Sequence, residues 1–179
     1  WARDIAAQAG PADLYRDKEG RKTLRFECGG KAWFLKLHTG VGWPEVCKNL
    51  LQLRLPVISA RNEYRAVLAL RRGGVPKLDI AAYARRGLNP ARVRSMIVSA
   101  ELTGTVSLEH YCANWAMQAP APAIRMRLLR TLAHSARQMH ELGINHRDFY
   151  LCHFHLDEAS LQEAQTRCYL IDLHRAQIR

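Results

Sequence analysis

The chain has 179 residues, 48% apolar and 24% charged, the balance of an ordinary folded domain, which excludes a disordered or collagen-like protein. Twenty-seven Lys and Arg against sixteen Asp and Glu leave a formal charge of +11. That sign points to an anionic partner such as a nucleotide, a nucleic acid or lipid phosphate, although a solvated basic surface accounts for it as simply. Arg supplies most of the charge, and its planar fork pairs phosphate oxygens. Neither an apolar run of about 18 residues nor a basic-then-apolar leader occurs, so no membrane span or export signal is indicated. The cysteines (Cys28, Cys47, Cys112, Cys152, Cys168) are odd in number and form no C-x-x-C pair, against a disulfide framework or a zinc ribbon and in favour of a reducing cytosol. Trp1 is an improbable natural start, and the sequence reads as an excerpt of a longer protein.

Taken in chain order, the first third alternates as strands do. A strand around Leu14 and Tyr15 turns at the polar cluster Asp17-Lys18-Glu19-Gly20-Arg21-Lys22. Leu24, Phe26 and Cys28 then share one side, Gly29-Gly30 supplies a turn, and Lys31 to Leu37 returns, which predicts a hairpin. The period next becomes helical. Pro44 suits a first turn, and Val46, Leu50, Leu51, Leu53 and Leu55 form a stripe expected to pack inside the domain. A second helix starts near Ser59 or Asn62, runs through Tyr64, Val67, Leu68 and Leu70, and stops at Gly73-Gly74. Ser95 to Ala100 reads as a buried strand, followed by the connector Glu101-Leu102-Thr103-Gly104. A long helix spans roughly 122–142, with Ile124, Leu128, Leu132, Ser135 or Ala136, and Met139 on one face. Phe154 to Leu156 and Tyr169 to Ile171 predict a last strand pair.

Chemistry concentrates in the last third. Asn145-His146-Arg147-Asp148 is followed five residues after the aspartate by His153, and Asp172 comes directly after an apolar strand. Upstream, Lys36 ends Trp33-Phe34-Leu35-Lys36 on a strand, and Glu63 lies one turn into a helix. This order resembles the protein-kinase signature, with its strand lysine, helix glutamate, catalytic aspartate and metal-binding aspartate. A chance His-Arg-Asp in a chain of this length is on the order of one in a hundred, and the other three roles lower that further. Singly, Lys36 reads as a solvated strand lysine and Glu63 as an exposed helix acid. His146, Cys152, His153 and His155 suggest a transition-metal cluster or, more simply, structural histidines. The general pattern is incomplete, because no G-x-G-x-x-G precedes Lys36, and Leu173-His174 stands where Phe-Gly would follow Asp172. Gly20, with Arg21 and Lys22, is the candidate phosphate lid.

More specific stretches are Gly40-Val41-Gly42-Trp43-Pro44-Glu45, Lys48-Asn49-Leu50-Leu51, Leu55-Pro56-Val57, Asn145 to Phe154, and Ile171-Asp172-Leu173-His174-Arg175-Ala176-Gln177. Together they resemble the lipopolysaccharide core heptose(I) kinase family of Gram-negative bacteria over essentially the whole chain. The resemblance implies an α+β, protein-kinase-like two-lobed fold. Its N-lobe, with an antiparallel sheet, would be residues 1–101, and a mostly helical C-lobe would begin at 102–179 and be truncated here. It also implies transfer of the ATP γ-phosphoryl group to heptose I of the inner core, on a lipid A–inner core glycolipid at the cytoplasmic face of the inner membrane. Acyl carrier protein is an implied partner, and nucleic acid is not expected.

Carried over, Asp148 orients the sugar hydroxyl and accepts its proton. Lys36 holds the α- and β-phosphates and Glu63 fixes Lys36. Asp172 binds Mg2+ together with His153, which stands where the signature has Asn and whose imidazole replaces the amide oxygen only with some change in metal preference or through a bridging water. Glu101 and Leu102 meet adenine through backbone groups. Residues 39–58 form an insertion by kinase standards, in which Trp43 and Lys48 facing the sugar or a membrane is the alternative to packing. The Arg-rich surface is expected to meet core phosphates or the anionic leaflet. Two other readings remain: a kinase of a different acceptor, such as the core octulosonic acid or a protein tyrosine, and a non-catalytic kinase-like module that holds nucleic acid or phospholipid by charge.

Overall fold

The computed structural model describes residues 1–18, 20–53 and 56–179, with Lys18 in backbone only. Leu55 in the predicted stripe and Glu19 in the first polar cluster lie outside the described residues. The chain divides into two compact units, Trp1–Tyr64 with Asp79–Glu101, and Arg65–Leu78 with Leu102–Arg179.

In chain order the elements are α1 (Ala2–Gln8), β1 (Leu14–Lys18), β2 (Arg21–Cys28), β3 (Lys31–His38), α2 (Gly42–Leu51), α3 (Arg61–Arg72), β4 (Ile80–Arg86), β5 (Arg94–Ala100), β6 (Thr105–Ser107), α4 (Leu108–Cys112), α5 (Pro122–Glu141), β7 (Ile144–Asn145), β8 (Phe154–Asp157), β9 (Cys168–Leu170) and β10 (Gln177–Ile178). The α+β class expected from the sequence is observed, with an antiparallel N-terminal sheet.

The first unit is built on a five-stranded sheet in the order β1-β2-β3-β5-β4. The predicted hairpin is present, with Leu24 opposite Leu35 and Phe26 opposite Trp33. Leu24, Leu35 and Val98 are fully buried, and Ala2, Ile5, Ala6 and Ala9 pack against them. Those four recur at helical spacing, so α1 covers one face of the sheet through a single stripe. Because strand side chains alternate, Lys36 points to the other face, away from Leu35 and Leu37. Strand β4, which the sequence reading omitted, pairs with β5 from Ile80↔Ser99 to Arg86↔Arg94. Its Tyr83 ring stacks on Tyr64 at 4.3 Å between centroids.

One expectation is overturned. The stripe after Pro44 does not pack inside the domain: α2 ends at Leu51, and only Val46 is buried, while Leu50, Leu51 and Leu53 are 54%, 86% and 98% exposed. Periodicity reports that a helix is two-faced, but not which face the rest of the fold covers.

In the second unit α5 buries Leu128, Ser135 and Met139. Residues 102–179 carry more strand than expected: a three-stranded sheet β6-β8-β9 and the two-stranded pair β10-β7. Phe154 and Leu156 are buried opposite Leu170 and Cys168. The β7–β10 pairing, Asn145 with Gln177 and Ile144 with Ile178, brings the turn at Leu173–Arg175 back beside the loop that follows β7.

Candidate active site

In the first unit, Lys36 on β3 meets Glu63 in the first turn of α3, with Nζ 2.6 Å from Oε1. The start of α3 is fixed from the sheet, since the Ser95 hydroxyl accepts the Ala60 N–H at 2.8 Å and Ser59 Oγ accepts that of Arg61 at 3.3 Å. The Glu63 side chain is 5% exposed and that of Lys36 18%. The second carboxylate oxygen of Glu63 is buried without a hydrogen-bond partner among the described residues. A buried ion pair this incompletely satisfied is a weak source of stability. Its value lies in holding a flexible ammonium in one place.

In the second unit the loop after β7 is organised by its own histidines. The Asp148 N–H donates to His146 Nδ1 at 3.1 Å, which leaves the ring proton on Nε2, facing the Ile171 carbonyl at 3.4 Å. Burial holds the His146 imidazole below its ordinary pKa, so the neutral tautomer required by those two contacts is also the favoured one. His153 Nδ1 lies 2.7 Å from the Asp148 carbonyl. A carbonyl can only accept, so Nδ1 carries a proton, and Nε2 is the nitrogen left to offer a lone pair. That nitrogen is 3.7 Å from Asp172 Oδ2. Asp172 itself stands in the left-handed region at φ 55°, at the head of the Leu173–Arg175 turn. Aspartate tolerates this conformation better than most residues, and such backbone outliers cluster at functional sites. Leu173 is buried and anchors the turn.

Two residues outside the expected set complete this cluster. The Arg175 guanidinium donates to Asp148 Oδ1 at 2.6 Å, and His174 Nδ1 lies 2.9 Å from Asp172 Oδ1. The only sequence signal for either was the run Ile171 to Gln177.

The donor set suits a divalent ion that arrives with a nucleotide. Among the described residues no group of three or more His, Cys, Asp or Glu side chains is arranged to hold a metal. The Asp172 carboxylate is the hard oxygen donor such an ion takes, with the remaining positions left to water and phosphate oxygens, whereas the His153 imidazole would serve Mg2+ through a bridging water or would shift the metal preference.

The other expected positions are placed differently. Gly20 turns β1 into β2 at φ 70°, and a Cβ there would lie 2.3 Å from the Gly40 carbonyl oxygen, so close backbone packing already explains the glycine. Its carbonyl accepts the Thr39 N–H at 2.8 Å. Of the flanking cations, Arg21 donates to the Val57 carbonyl at 3.3 Å and Lys22 pairs with Asp17 at 2.9 Å. At the connector, the Glu101 N–H is spent on the Ala32 carbonyl and its carboxylate takes a fork from Arg25 at 2.9 and 3.1 Å. Leu102 is half-buried in irregular chain.

A sheet-borne lysine held by a helix glutamate, and a catalytic-type loop followed by an aspartate after a strand, are the parts of a kinase-like protein. The chain belongs to the lipopolysaccharide kinase (Kdo/WaaP) family, which it matches over residues 6–179. It is 43% identical over 176 residues to the lipopolysaccharide core heptose(I) kinase WaaP of Pseudomonas aeruginosa, covering 97% of this chain and 65% of that protein. It is 45% identical over 168 residues to the protein of the same name from Escherichia coli, covering 93% and 63%. A solved structure, of WaaP in complex with acyl carrier protein, superposes with a TM-score of 0.79 at 36% identity, over 99% of this chain and 66% of that one. The chain thus spans just under two thirds of the length of these relatives.

Proposed function

We propose that this protein is an ATP-dependent kinase that phosphorylates heptose I of the lipopolysaccharide inner core. Lys36, steadied by Glu63, would hold the ATP phosphates. Asp148 would orient the acceptor hydroxyl and take its proton, with Arg175 fixing one carboxylate oxygen so that the other faces the acceptor. Mg2+, held by Asp172 and His153, would neutralise phosphate charge. Glu101 and Leu102 would border adenine and Gly20 the phosphates. In this reading residues 1–101 form the N-lobe and the catalytic lobe begins at residue 102.

The observation that carries the proposal is the Lys36–Glu63 pair. A module that binds polyanions by charge alone has no use for a lysine whose charge is largely cancelled by a buried carboxylate, whereas a phosphate clamp needs its ammonium fixed. The acceptor comes from the relatives' name, and acyl carrier protein from the one resolved with it. An acidic carrier would suit a chain of charge +11. The proposed location is peripheral, at the cytoplasmic face of the inner membrane. Among the described residues no helix is long and apolar enough to cross a membrane.

The test is incubation with labelled ATP and purified lipid A–core glycolipid, compared with the core octulosonic acid and with protein acceptors. Label on heptose I is expected; label on the octulosonic acid or on tyrosine, or none, overturns the assignment. Asp148→Ala should lower transfer by roughly 100- to 10,000-fold, the range for losing a positioned base, while thermal stabilisation by ATP persists. Retained turnover would remove Asp148 as the base.

A further inference from the structure

Helix α2 turns its apolar side outward. Trp43, Cys47, Leu50 and Leu51 recur at i, i+4, i+7 and i+8, which is one face of a helix, and all four are exposed. Val46, one turn from both Trp43 and Leu50, is buried at the edge of that face, and the side opposite carries the polar brace from Asn49 Nδ2 to the Glu45 carbonyl and Oε1, both at 2.8 Å. Just past the helix, Leu53 occupies the left-handed region at φ 53°, a position helix ends usually give to glycine, and its side chain is exposed. A contiguous apolar stripe of this kind marks an interaction surface.

A second feature adjoins it. The end of the β4–β5 hairpin carries Arg85, Arg86, Arg92 and Arg94, all exposed, and no Asp or Glu occurs between Ile80 and Ala100. Among the described residues none of the four guanidinium groups is in an ion pair. Leu88 at the tip is 90% exposed. The Gly42 N–H donates to the Ala91 carbonyl at 3.0 Å, so the hairpin end abuts the first turn of α2.

We propose that this surface docks on an anionic lipid bilayer, with Trp43, Leu50, Leu51 and Leu53 entering the headgroup layer and the hairpin arginines lying on lipid phosphates. An apolar helix face adjoined by a cluster of arginines matches the composition of interfacial surfaces, and the carboxylate nearest to it, Glu45, is paired with Lys48. Four like charges on two paired strands repel one another, and a continuous negative plane relieves that more fully than a protein epitope of mixed sign. The assignment builds on the reading that the acceptor is a membrane glycolipid, and it is measured separately from phosphoryl transfer.

The experiment is co-sedimentation with phosphatidylethanolamine vesicles, with and without phosphatidylglycerol, using Cys28→Ser protein labelled at Cys47 with a polarity-sensitive dye. Binding to the phosphatidylglycerol vesicles with a blue shift of the dye is expected. Arg85→Gln/Arg86→Gln should weaken low-salt binding roughly 25-fold, at about fivefold per cation. Leu51→Ser/Leu53→Ser should weaken it about tenfold or more even at high salt. Both pairs should leave the melting temperature and phosphorylation of a lipid-free core oligosaccharide unchanged. Vesicle binding that neither pair reduces overturns the proposal. So does a Cys47 thiol that is unreactive in the folded protein, because protein then covers the face, and so does a dimer that Leu51→Ser/Leu53→Ser dissolves in a protein that ignores vesicles. Vesicle binding as expected without turnover on the oligosaccharide supports the surface and removes the kinase assignment alone.

Discussion

Replacing Lys36 by Met tests whether the Lys36–Glu63 pair is the device described. The two charged atoms are 2.6 Å apart and the side chains are 18% and 5% exposed. At an effective dielectric constant of about 20, attraction at this range is of the order of 6 kcal/mol, most of it offset by the cost of desolvating both ions. Removing only the lysine forfeits the attraction and leaves the Glu63 charge buried. The cost of breaking a buried pair is about 3–5 kcal/mol, and the partial exposure of Lys36 places this one near the low end. About 3 kcal/mol corresponds to roughly 6–12 °C in melting temperature for a chain of this length. Glu63→Gln should cost less, because the ammonium can swing toward water. The double variant Lys36→Met/Glu63→Leu removes both charges and should be more stable than Lys36→Met, since apolar replacement of a buried pair is often neutral. Urea midpoints for the two singles and a matched double measure the coupling, and ATP-dependent thermal shifts on the same proteins report the clamp. If the single-variant costs add to within about 0.5 kcal/mol, or if Lys36→Met retains ATP stabilisation, the pair is an incidental contact.

Three further outcomes follow from the geometry. Burial keeps His146 and His155 below their ordinary pKa of 6.5, so below about pH 6.5 the unfolded chain binds protons that the folded chain refuses. Stability is full above that pH and declines as pH falls toward the depressed folded values; His146→Gln should flatten the fall in melting temperature, and parallel curves would contradict this. Burial pushes the Cys168 thiol up to about 12, whereas Cys28 and Cys47 are exposed; a disulfide reagent should titrate the exposed pair at once and Cys168 only in urea, so early loss of Cys168 would refute its placement. Gly29→Ala has open space at φ 61° and should cost about 1–2 kcal/mol for the left-handed backbone alone, while Gly20→Ala adds a backbone clash at 2.3 Å. Equal urea midpoints for the two would mean that the Gly20–Gly40 contact is absent.

The residues of the candidate site were legible because their spacing along the chain is set by single elements. Lys36 belongs to an alternating strand, Glu63 to a first helical turn, and Asp148 and His153 to one loop. Strand β4 was not legible, because Ile80–Arg86 is rich in Ala and Arg and most of its length is exposed, so neither alternation nor a buried run marks it. Arg175 was not legible as a partner of Asp148 either. The two are 27 residues apart, and their meeting depends on β10 pairing with β7, two-residue strands with no pattern of their own.

The α2 stripe shows a different limit. The helical period holds for Val46, Leu50 and Leu51 but not for Leu53, which lies past the helix end, and the partner was not legible, because the same spacing serves a helix that packs on a core and one that lies on another apolar phase. What separates the two is how the rest of the chain satisfies the helix. Here Val46 is the one buried residue of the helix and a Glu45–Asn49 brace lines its polar side, while Leu53 stands exposed in the left-handed region. Contact with a second apolar medium is the explanation proposed, and the loss of vesicle binding in Leu51→Ser/Leu53→Ser, at unchanged melting temperature, is the observation on which it depends.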